Sequence, residues 1–355
     1  CMGFYNLDIE LFLSFGWPPY KARPGTVALL SHSGSSFSSL TLNDGRLGYN
    51  LCVSTGLEIA TTVADYLDYA LDIENTRAVG LILETVRDPE GFLAALAKAQ
   101  ARKVPVVALK IGRTEASAKL AISHSGAIAG NDAAYEAVFE RYGVHRVEAL
   151  DELAATLSMF SQPRTVGPGG LVGILDSGAE RELLIDLADD ARVPLPAMTK
   201  ETTATLAGLL HPGLEPVNPL DAWGTVHEWE HIFTECFAAL VGDPNAAVGA
   251  VFSSLRDEAA VSDGWVRVAI EAARRYDKPV AIVTNFGWTK HPGLTRRLTE
   301  AKIPLLEGTK CGLVAMKHLL AERDSRVLPP IEAPKPVGAR VRDRWRARLA
   351  ESAPL

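Results

Sequence analysis

The chain alternates short, continuously apolar runs with longer amphipathic stretches. In the first half, the apolar runs cover residues 26–30, 49–54, 78–83, 104–109 and 144–147. Runs that are apolar at every position, rather than at every second one, are typical of parallel strands covered on both faces. The stretches between them predict helices, one of which has Pro89 in its first turn. This pattern predicts a doubly wound α/β domain over residues 25–162.

The same order of elements is repeated after the Gly- and Pro-rich break at residues 167–170. Further apolar runs, each followed by a predicted helix, cover residues 171–175, 247–252, 280–284 and 304–306. The segment TVALLSHSG in the first half corresponds to LVGILDSG in the second, and KVPVVALKIG corresponds to KPVAIVTNFG. A weak repeat of about 150 residues predicts two similar flavodoxin-like domains rather than a solenoid. The second domain is expected over residues 168–325.

The two ends of the chain lack this pattern. Residues 1–25 contain several Pro and Gly breakers and are expected to be loop-like. Residues 326–355 are rich in Pro and then in Arg, and are expected to form a linker. Because the first residue is not Met, we expect the sequence to be a fragment of a larger protein.

Composition narrows the function classes. The 355 residues are 47% hydrophobic and carry a net charge of −7, without a basic stripe of interleaved aromatic residues, which argues against nucleic-acid binding. No apolar run reaches the roughly 18 residues of a membrane span, and no signal-peptide pattern is present. The four Cys residues are far apart and form no CxxC pair, so we expect a reducing, cytoplasmic compartment and no metal site.

Candidate chemistry lies at the expected carboxyl ends of the strands, where doubly wound sheets bind ligands. In the first domain these positions carry Ser33 and Gly34, Glu84, and the loop SHSGAIAG with His124 at its second position. Gly126 in that loop frees the backbone to expose the imidazole, which is a nucleophile near neutral pH. Ser33 starts a predicted helix, whose unpaired N–H groups favour phosphate.

A second helix start of the same kind, at Ser177 and Gly178, opens the second domain. Taken together, these positions are consistent with an imidazole that accepts a phosphoryl group and a carboxylate, Glu84, that orients its other nitrogen. Each position alone also has a purely structural interpretation. Ser and Gly cap helices, a loop His is commonly a surface residue, and Glu84 could pair with Arg87 or Lys110.

Other polar residues are weaker candidates. His32 is equally well explained as a polar loop residue. His227 and His231 lie four residues apart on a predicted helix, and a surface pair is favoured over a metal site because no HExxH motif is present. No Walker motif and no GxSxG motif occurs in the chain.

The sequence resembles the NDP-forming acyl-CoA synthetases, which include succinyl-CoA synthetase and ADP-forming acetyl-CoA synthetase. The resemblance rests on SHSGAIAGNDAAYEAVFERYGVHRVEALDEL, on LLSHSGSS, on GLILETVRDPEGF and on VNPLDAWG. It implies that His124 is transiently phosphorylated and that Glu84 orients it. The phosphate would be held at Ser33, Gly34, Ser177, Gly178 and Gly126.

The resemblance also implies the reaction acid + CoA + ATP ⇌ acyl-CoA + ADP + phosphate, with Mg²⁺ accompanying the nucleotide. CoA and ATP would be bound mostly by two further domains of the parent protein, a Rossmann-like CoA-binding domain ending within residues 1–24 and an ATP-grasp domain after residue 355. A carboxylic acid is the remaining substrate, and assembly into a homo-oligomer is possible.

Two departures from the family pattern keep an alternative open. Leu57 stands where a polar residue is expected, and Glu180 lies in the first turn of the second helix, where a carboxylate opposes phosphate. A non-catalytic regulatory or assembly protein with the same fold is therefore the competing hypothesis.

Overall fold

A computed structural model describes residues 3–14, 22–114, 116–117, 132–225, 227–326 and 339–351. It contains two sheets, one of seven strands and one of five, each flanked by helices. Within these ranges, no helix combines the length and the apolar character needed to cross a lipid bilayer.

The first sheet has the strand order β2-β1-β4-β3-β5-β6-β7. Its strands are β1 (Gly3–Asn6), β2 (Leu11–Ser14), β3 (Pro24–Ser31), β4 (Tyr49–Ser54), β5 (Ala78–Leu83), β6 (Val106–Lys110) and β7 (His145–Val147). The helices are α1 (Gly34–Thr41), α2 (Val63–Asp72), α3 (Pro89–Arg102), α4 (Asp132–Tyr142) and α5 (Leu150–Ser161). The five strands from β3 to β7 are parallel, in the 2-1-3-4-5 order of flavodoxin-like folds.

The second sheet has the order β12-β11-β10-β8-β9, which is again 2-1-3-4-5 and entirely parallel. Its strands are β8 (Gly170–Leu175), β9 (Leu220–Asp221), β10 (Ala246–Phe252), β11 (Val280–Thr284) and β12 (Leu305–Glu307). The helices are α6 (Gly178–Ala191), α7 (Lys200–Leu209), α8 (Trp229–Gly242), α9 (Ala260–Arg275), α10 (Pro292–Glu300) and α11 (Thr309–Ser325). The prediction of two doubly wound flavodoxin-like domains is confirmed.

Burial explains why the apolar runs become strands. Every residue of β4, β5, β8 and β10 is buried, because helices cover both faces of each sheet. Helix α2 begins at a capping box, in which Thr62 and Asp65 each accept the other's main-chain N–H. Along these segments, the local sequence signals and the burial of the side chains therefore favour the same secondary structure.

The two ends of the chain differ from expectation. The expectation that residues 1–25 are loop-like is wrong, because β1 and β2 form an antiparallel hairpin that extends the first sheet beside β4. Whether residues 1–24 also complete a preceding domain stays a prediction. The expected linker contains a helix, α12 (Ala339–Glu351), on which Val341 and Trp345 are exposed.

One of the three clusters of buried apolar side chains in the described residues spans both domains. Helices α5 and α11 pack together, and a single cluster of buried side chains runs from Leu29 and Leu157 in the first domain to Leu175 and Met316 in the second. Arg323 donates to the carbonyls of Gly167 and Gly169 at 2.9 and 2.8 Å, which ties the connecting segment to α11. The domains are therefore held to each other by burial as well as by polar contacts.

A pair of histidines lies in this interface. His145 at the start of β7 is 3.0 Å from the Glu322 carboxylate and 3.3 Å from the ring of His318 in α11. Burial, followed by the proximity of His145 and Lys317, lowers the pKa of His318 to about 3. His318 is therefore neutral in the folded protein at every pH where an unfolded histidine begins to protonate.

We expect the free energy of unfolding to fall as the pH drops from 6.5, the ordinary His value, towards 3, because the unfolded state then binds more protons. His318 contributes a slope of at most about 1.4 kcal/mol per pH unit in that window. His318→Gln cannot titrate, so its urea stability should change less than that of the wild type between about pH 7 and pH 5. His231→Gln, on an exposed site of α8, is the control, and equal pH sensitivity of both variants would contradict the assignment.

Candidate functional site

The carboxyl ends of β3, β5 and β6 lie side by side, because β5 pairs with β3 on one edge and with β6 on the other. His32 and Ser33 follow β3, Glu84 follows β5, and Lys110 ends β6. The parallel sheet thus brings together residues that are far apart in sequence, as the pattern of strand ends predicts.

Ser33 is the N-cap of α1. Its hydroxyl accepts the main-chain N–H of Ser36 at 3.2 Å, and the hydroxyl of Ser31 donates to the Ser33 carbonyl at 2.8 Å. Gly34 is the first residue of this helix, and no acidic side chain lies in its first turn. The positive end of the helix dipole therefore faces the edge of the sheet that carries Glu84. That this end holds phosphate stays a prediction.

The main chain of Glu84 is held from both neighbouring strands. Its N–H donates to Nδ1 of His32 at 2.9 Å, and its carbonyl accepts from Nζ of Lys110 at 2.9 Å. The Glu84 carboxylate makes no hydrogen bond to any residue that the structure describes. Burial lowers the pKa of Lys110, against the opposing effect of Asp132. The main chain at this position is therefore held from both sides, and the charge of the carboxylate acts on the neighbouring Lys110.

Helix α4 contributes Tyr135 to the same edge of the sheet. Burial raises the pKa of the Tyr135 hydroxyl, against the opposing effect of Thr85 and Val86, which directly follow Glu84. The ammonium of Lys110 lies 4.7 Å from the centre of the Tyr135 ring. Lys110, which precedes the His124 loop, therefore contacts both the Glu84 carbonyl and the ring of Tyr135, which follows the loop. His124 and Gly126 themselves lie outside the described residues.

His32 is part of the site in a way that sequence reasoning missed. Its Nε2 is 2.7 Å from Oε1 of Glu58, and the two side chains are only 4% and 2% exposed. The same Glu58 oxygen accepts the N–H of Val63 at the start of α2 at 2.8 Å. No sequence signal pairs residues 26 positions apart, so only the fold reveals the contact. Leu57, the predicted departure, is 51% exposed, and the polar contact comes from the next residue.

The second helix start has a different electrostatic environment. Ser177 caps α6 by accepting the N–H of Glu180 at 3.4 Å. The Glu180 carboxylate accepts the Asn285 amide at 2.6 Å, and its pKa is raised by burial and by Asp176. Burial and the nearby Asp221 also raise the pKa of Asp176. A phosphate would meet these carboxylates here, so binding at Ser177 and Gly178 stays a prediction.

Metal ligands were not expected from the sequence. Over the described ranges, no group of three or more His, Cys, Asp or Glu side chains is arranged to hold a metal ion. The polar chemistry of the first site is that of hydrogen bonds and a helix dipole.

The fold and the strand-end site define the class of the first domain. Residues 24–160 match the family of the succinyl-CoA ligase like flavodoxin domain. The first domain therefore matches this family along its whole length, and the chain as a whole is similar to curated ADP-forming CoA ligases. This confirms the family resemblance, and the names of the relatives as CoA ligases agree with the predicted enzyme class.

An ADP-forming acetate–CoA ligase of Methanocaldococcus jannaschii is 34% identical over 231 residues, which are 63% of this chain and 32% of that protein. The alpha subunit of acetate–CoA ligase II of Pyrococcus furiosus is 28% identical over 70% of this chain and 53% of its own length. A 4-hydroxybutyrate–CoA ligase of Nitrosopumilus maritimus is 26% identical over 86% of this chain and 43% of its own. The chain therefore spans about a third to a half of these relatives.

A solved structure has the same fold. It is the dinucleotide forming acetyl-coenzyme A synthetase 1 of Ca. Korarchaeum cryptofilum, in complex with phosphate and ADP. The TM-score is 0.78 at 23% identity, and the match covers 92% of this chain and 70% of that one. At 23% identity this similarity supports the fold alone.

Proposed function

We propose that this chain carries the phosphohistidine of an ADP-forming acyl-CoA synthetase. The single observation that carries the proposal is the Glu84 carboxylate, which has no hydrogen-bond partner among the described residues and stands on a main chain held from β3 and β6. Lys110, which precedes the His124 loop, contacts the Glu84 carbonyl and the ring of Tyr135, which follows the loop, and the N-terminus of α1 lies at the same edge of the sheet. A carboxylate that orients one imidazole nitrogen leaves the other free to attack phosphorus.

The chemistry then runs in three balanced steps. An imidazole nitrogen of His124 attacks the γ-phosphorus of ATP and ADP leaves. The carboxylate of the acid attacks the phosphohistidine, which gives an acyl phosphate and restores the imidazole. The thiol of CoA attacks the acyl carbon and expels inorganic phosphate, which takes up the thiol proton. Glu84 accepts the hydrogen bond of the second ring nitrogen throughout, and the α1 dipole offsets the charge of the phosphoryl oxygens.

The rest of the activity is proposed from the relatives. ATP, with its Mg²⁺, would be bound by an ATP-grasp domain and CoA mainly by a Rossmann-like domain, neither of which the two flavodoxin-like domains supply. The acid is a carboxylic acid of unassigned structure, and we propose a cytoplasmic protein that works with these domains. The names of the relatives, acetate and 4-hydroxybutyrate ligases, support the reaction class.

Labelling with γ-³²P-ATP tests this proposal. In the presence of Mg²⁺ and an ATP-grasp partner, the chain should acquire acid-labile, base-stable phosphate. ADP should remove the label as ATP, and an acid with CoA should remove it as free phosphate. Without the partner we expect no labelling, and self-labelling would overturn the assignment of the ATP site to another domain. Absence of label with the partner would contradict the function itself.

A non-catalytic role remains the second candidate because of one observation. The carboxylates of Asp176, Glu180 and Asp221 gather at the start of α6, where the family chemistry calls for phosphate. A regulatory or assembly protein would bind the same domains without turnover. It would give no label under the conditions above, yet would still associate with an ATP-grasp partner in a pull-down.

A further inference from the structure

We propose that His32 is a positioning residue for Glu84 and that Glu58 fixes His32 in the tautomer this requires. The inference rests on the proposed function, because it assigns the support of the carboxylate that orients His124. It is carried by contacts among described residues at the ends of β3 and β5 and in the loop before α2.

The hydrogen bonds determine the tautomer of His32. The main-chain N–H of Glu84 can only donate, so Nδ1 of His32, at 2.9 Å, must be an acceptor without a proton. Nε2 then carries the proton and donates it to Oε1 of Glu58 at 2.7 Å. Each ring nitrogen has one partner and one role, so the ring cannot flip without losing both contacts.

Burial, a second hydrogen bond and an unusual backbone conformation hold Glu58 in place against His32. Its side chain is almost completely buried, and it accepts a second hydrogen bond from the N–H of Val63. Its backbone lies in the left-handed region, with φ of 54°, which is an uncommon conformation for a residue with a long side chain. A buried carboxylate in such a backbone is costly unless its partners compensate. The fold therefore maintains an unfavourable conformation that aims Glu58 at His32.

The main chain of Glu84 is therefore held by hydrogen bonds from two neighbouring strands. His32 reaches it from β3, and Lys110 reaches its carbonyl from β6. Its carboxylate has no hydrogen bond of its own to a described residue, so these main-chain contacts fix the point from which the side chain extends. Loss of the His32 contact would let the peptide before Glu84 rotate and would move the carboxylate away from its partner.

Two substitutions of His32 separate the two contacts. His32→Asn places an oxygen where Nδ1 was, so it can still accept the Glu84 N–H, but it is too short to reach Glu58. His32→Gln places its amide near the former Nε2, so it can still donate to Glu58, but it leaves the Glu84 N–H without an acceptor. We expect His32→Asn to phosphorylate His124 faster than His32→Gln, which should lose about 100-fold in rate at saturating ATP with an unchanged KM.

Glu58 provides a conservative rescue. Glu58→Gln keeps an oxygen that accepts from both His32 and Val63, and should label at close to the wild-type rate. Glu58→Ala removes the acceptor that holds the Nε2 proton of His32 and should label more slowly than Glu58→Gln. His145→Gln is the matched control, because His145 is also a buried histidine paired with a carboxylate, Glu322, but lies in the domain interface. It should lose stability without slowing the labelling.

Hydrogen exchange of the Glu84 amide gives a readout that does not depend on activity. The amide should exchange about tenfold faster in His32→Gln than in the wild type or His32→Asn. Equal labelling rates, or equal exchange, in the Asn and Gln variants would overturn the role of His32. If the wild type is not labelled, the proposed function fails, and the exchange measurement alone then decides whether His32 holds Glu84. If labelling occurs but the variants do not differ, only this inference fails.

Discussion

His124→Ala is expected to abolish ATP-dependent phosphorylation of the chain. The imidazole is the proposed phosphoryl acceptor, and alanine offers no nucleophile in its place. The effect should be complete rather than partial, because the remaining helix dipole and Glu84 can stabilise a phosphoryl group but cannot carry one. Acid-labile ³²P on the chain, measured with an ATP-grasp partner present, is the observable.

His227→Ala is the matched control for this experiment. His227 is an exposed histidine of the second domain, so its loss removes one imidazole without touching the first site. Labelling should match the wild type. If His124→Ala were labelled as strongly as the control, another side chain would be the acceptor and the assignment of His124 would be wrong.

Trp265→Ala is expected to lower the free energy of unfolding by about 3–5 kcal/mol, as is typical for truncating a large buried aromatic residue. Trp265 lies on α9, is 1% exposed, and packs with its ring centre 4.6 Å from Phe233 and 4.8 Å from Trp229 on α8. Truncation leaves a cavity between two helices that cover β10, and removes one edge-to-face and one tilted aromatic contact. Urea unfolding followed by far-UV circular dichroism measures the loss.

Trp288→Ala is the control for Trp265→Ala, because it removes an exposed indole instead of a buried one. Trp288 follows β11, touches Phe286 at 5.8 Å between ring centres, and is 87% exposed. Its substitution should change the free energy of unfolding by no more than about 0.5 kcal/mol. Comparable losses in the two variants would mean that α9 is not packed on α8 in solution as described.

The strands of the parallel sheets could be predicted from the sequence, because burial on both faces makes each of them a continuous apolar run. The runs at 78–83 and 280–284 coincide with β5 and β11 at both ends. The hairpin of β1 and β2 was not readable, because every residue of β2 is exposed and carries no burial pattern. Helix α12 was missed for a related reason, since its Arg-rich sequence gives little apolar periodicity.

The candidate site was predictable only in its strand-end members. Ser33 and Glu84 follow apolar runs directly, and parallel topology then brings strand ends to one edge. The His32–Glu58 contact depends on a loop that turns through a left-handed residue and returns to β3, which no local propensity specifies. Glu180 is an intermediate case, because its position opposing phosphate was readable but its bond to Asn285, 105 residues away, was not.

The core shared by α5 and α11 has a consequence for how the repeat could be rearranged. Two domains of the same topology suggest modules that could be exchanged or expressed one at a time. Here, separation would uncover the apolar residues Leu157 and Met316, which belong to one continuous cluster. The duplication is visible in the topology, but the two domains form one folding unit. Either domain expressed alone would expose an apolar surface that favours aggregation.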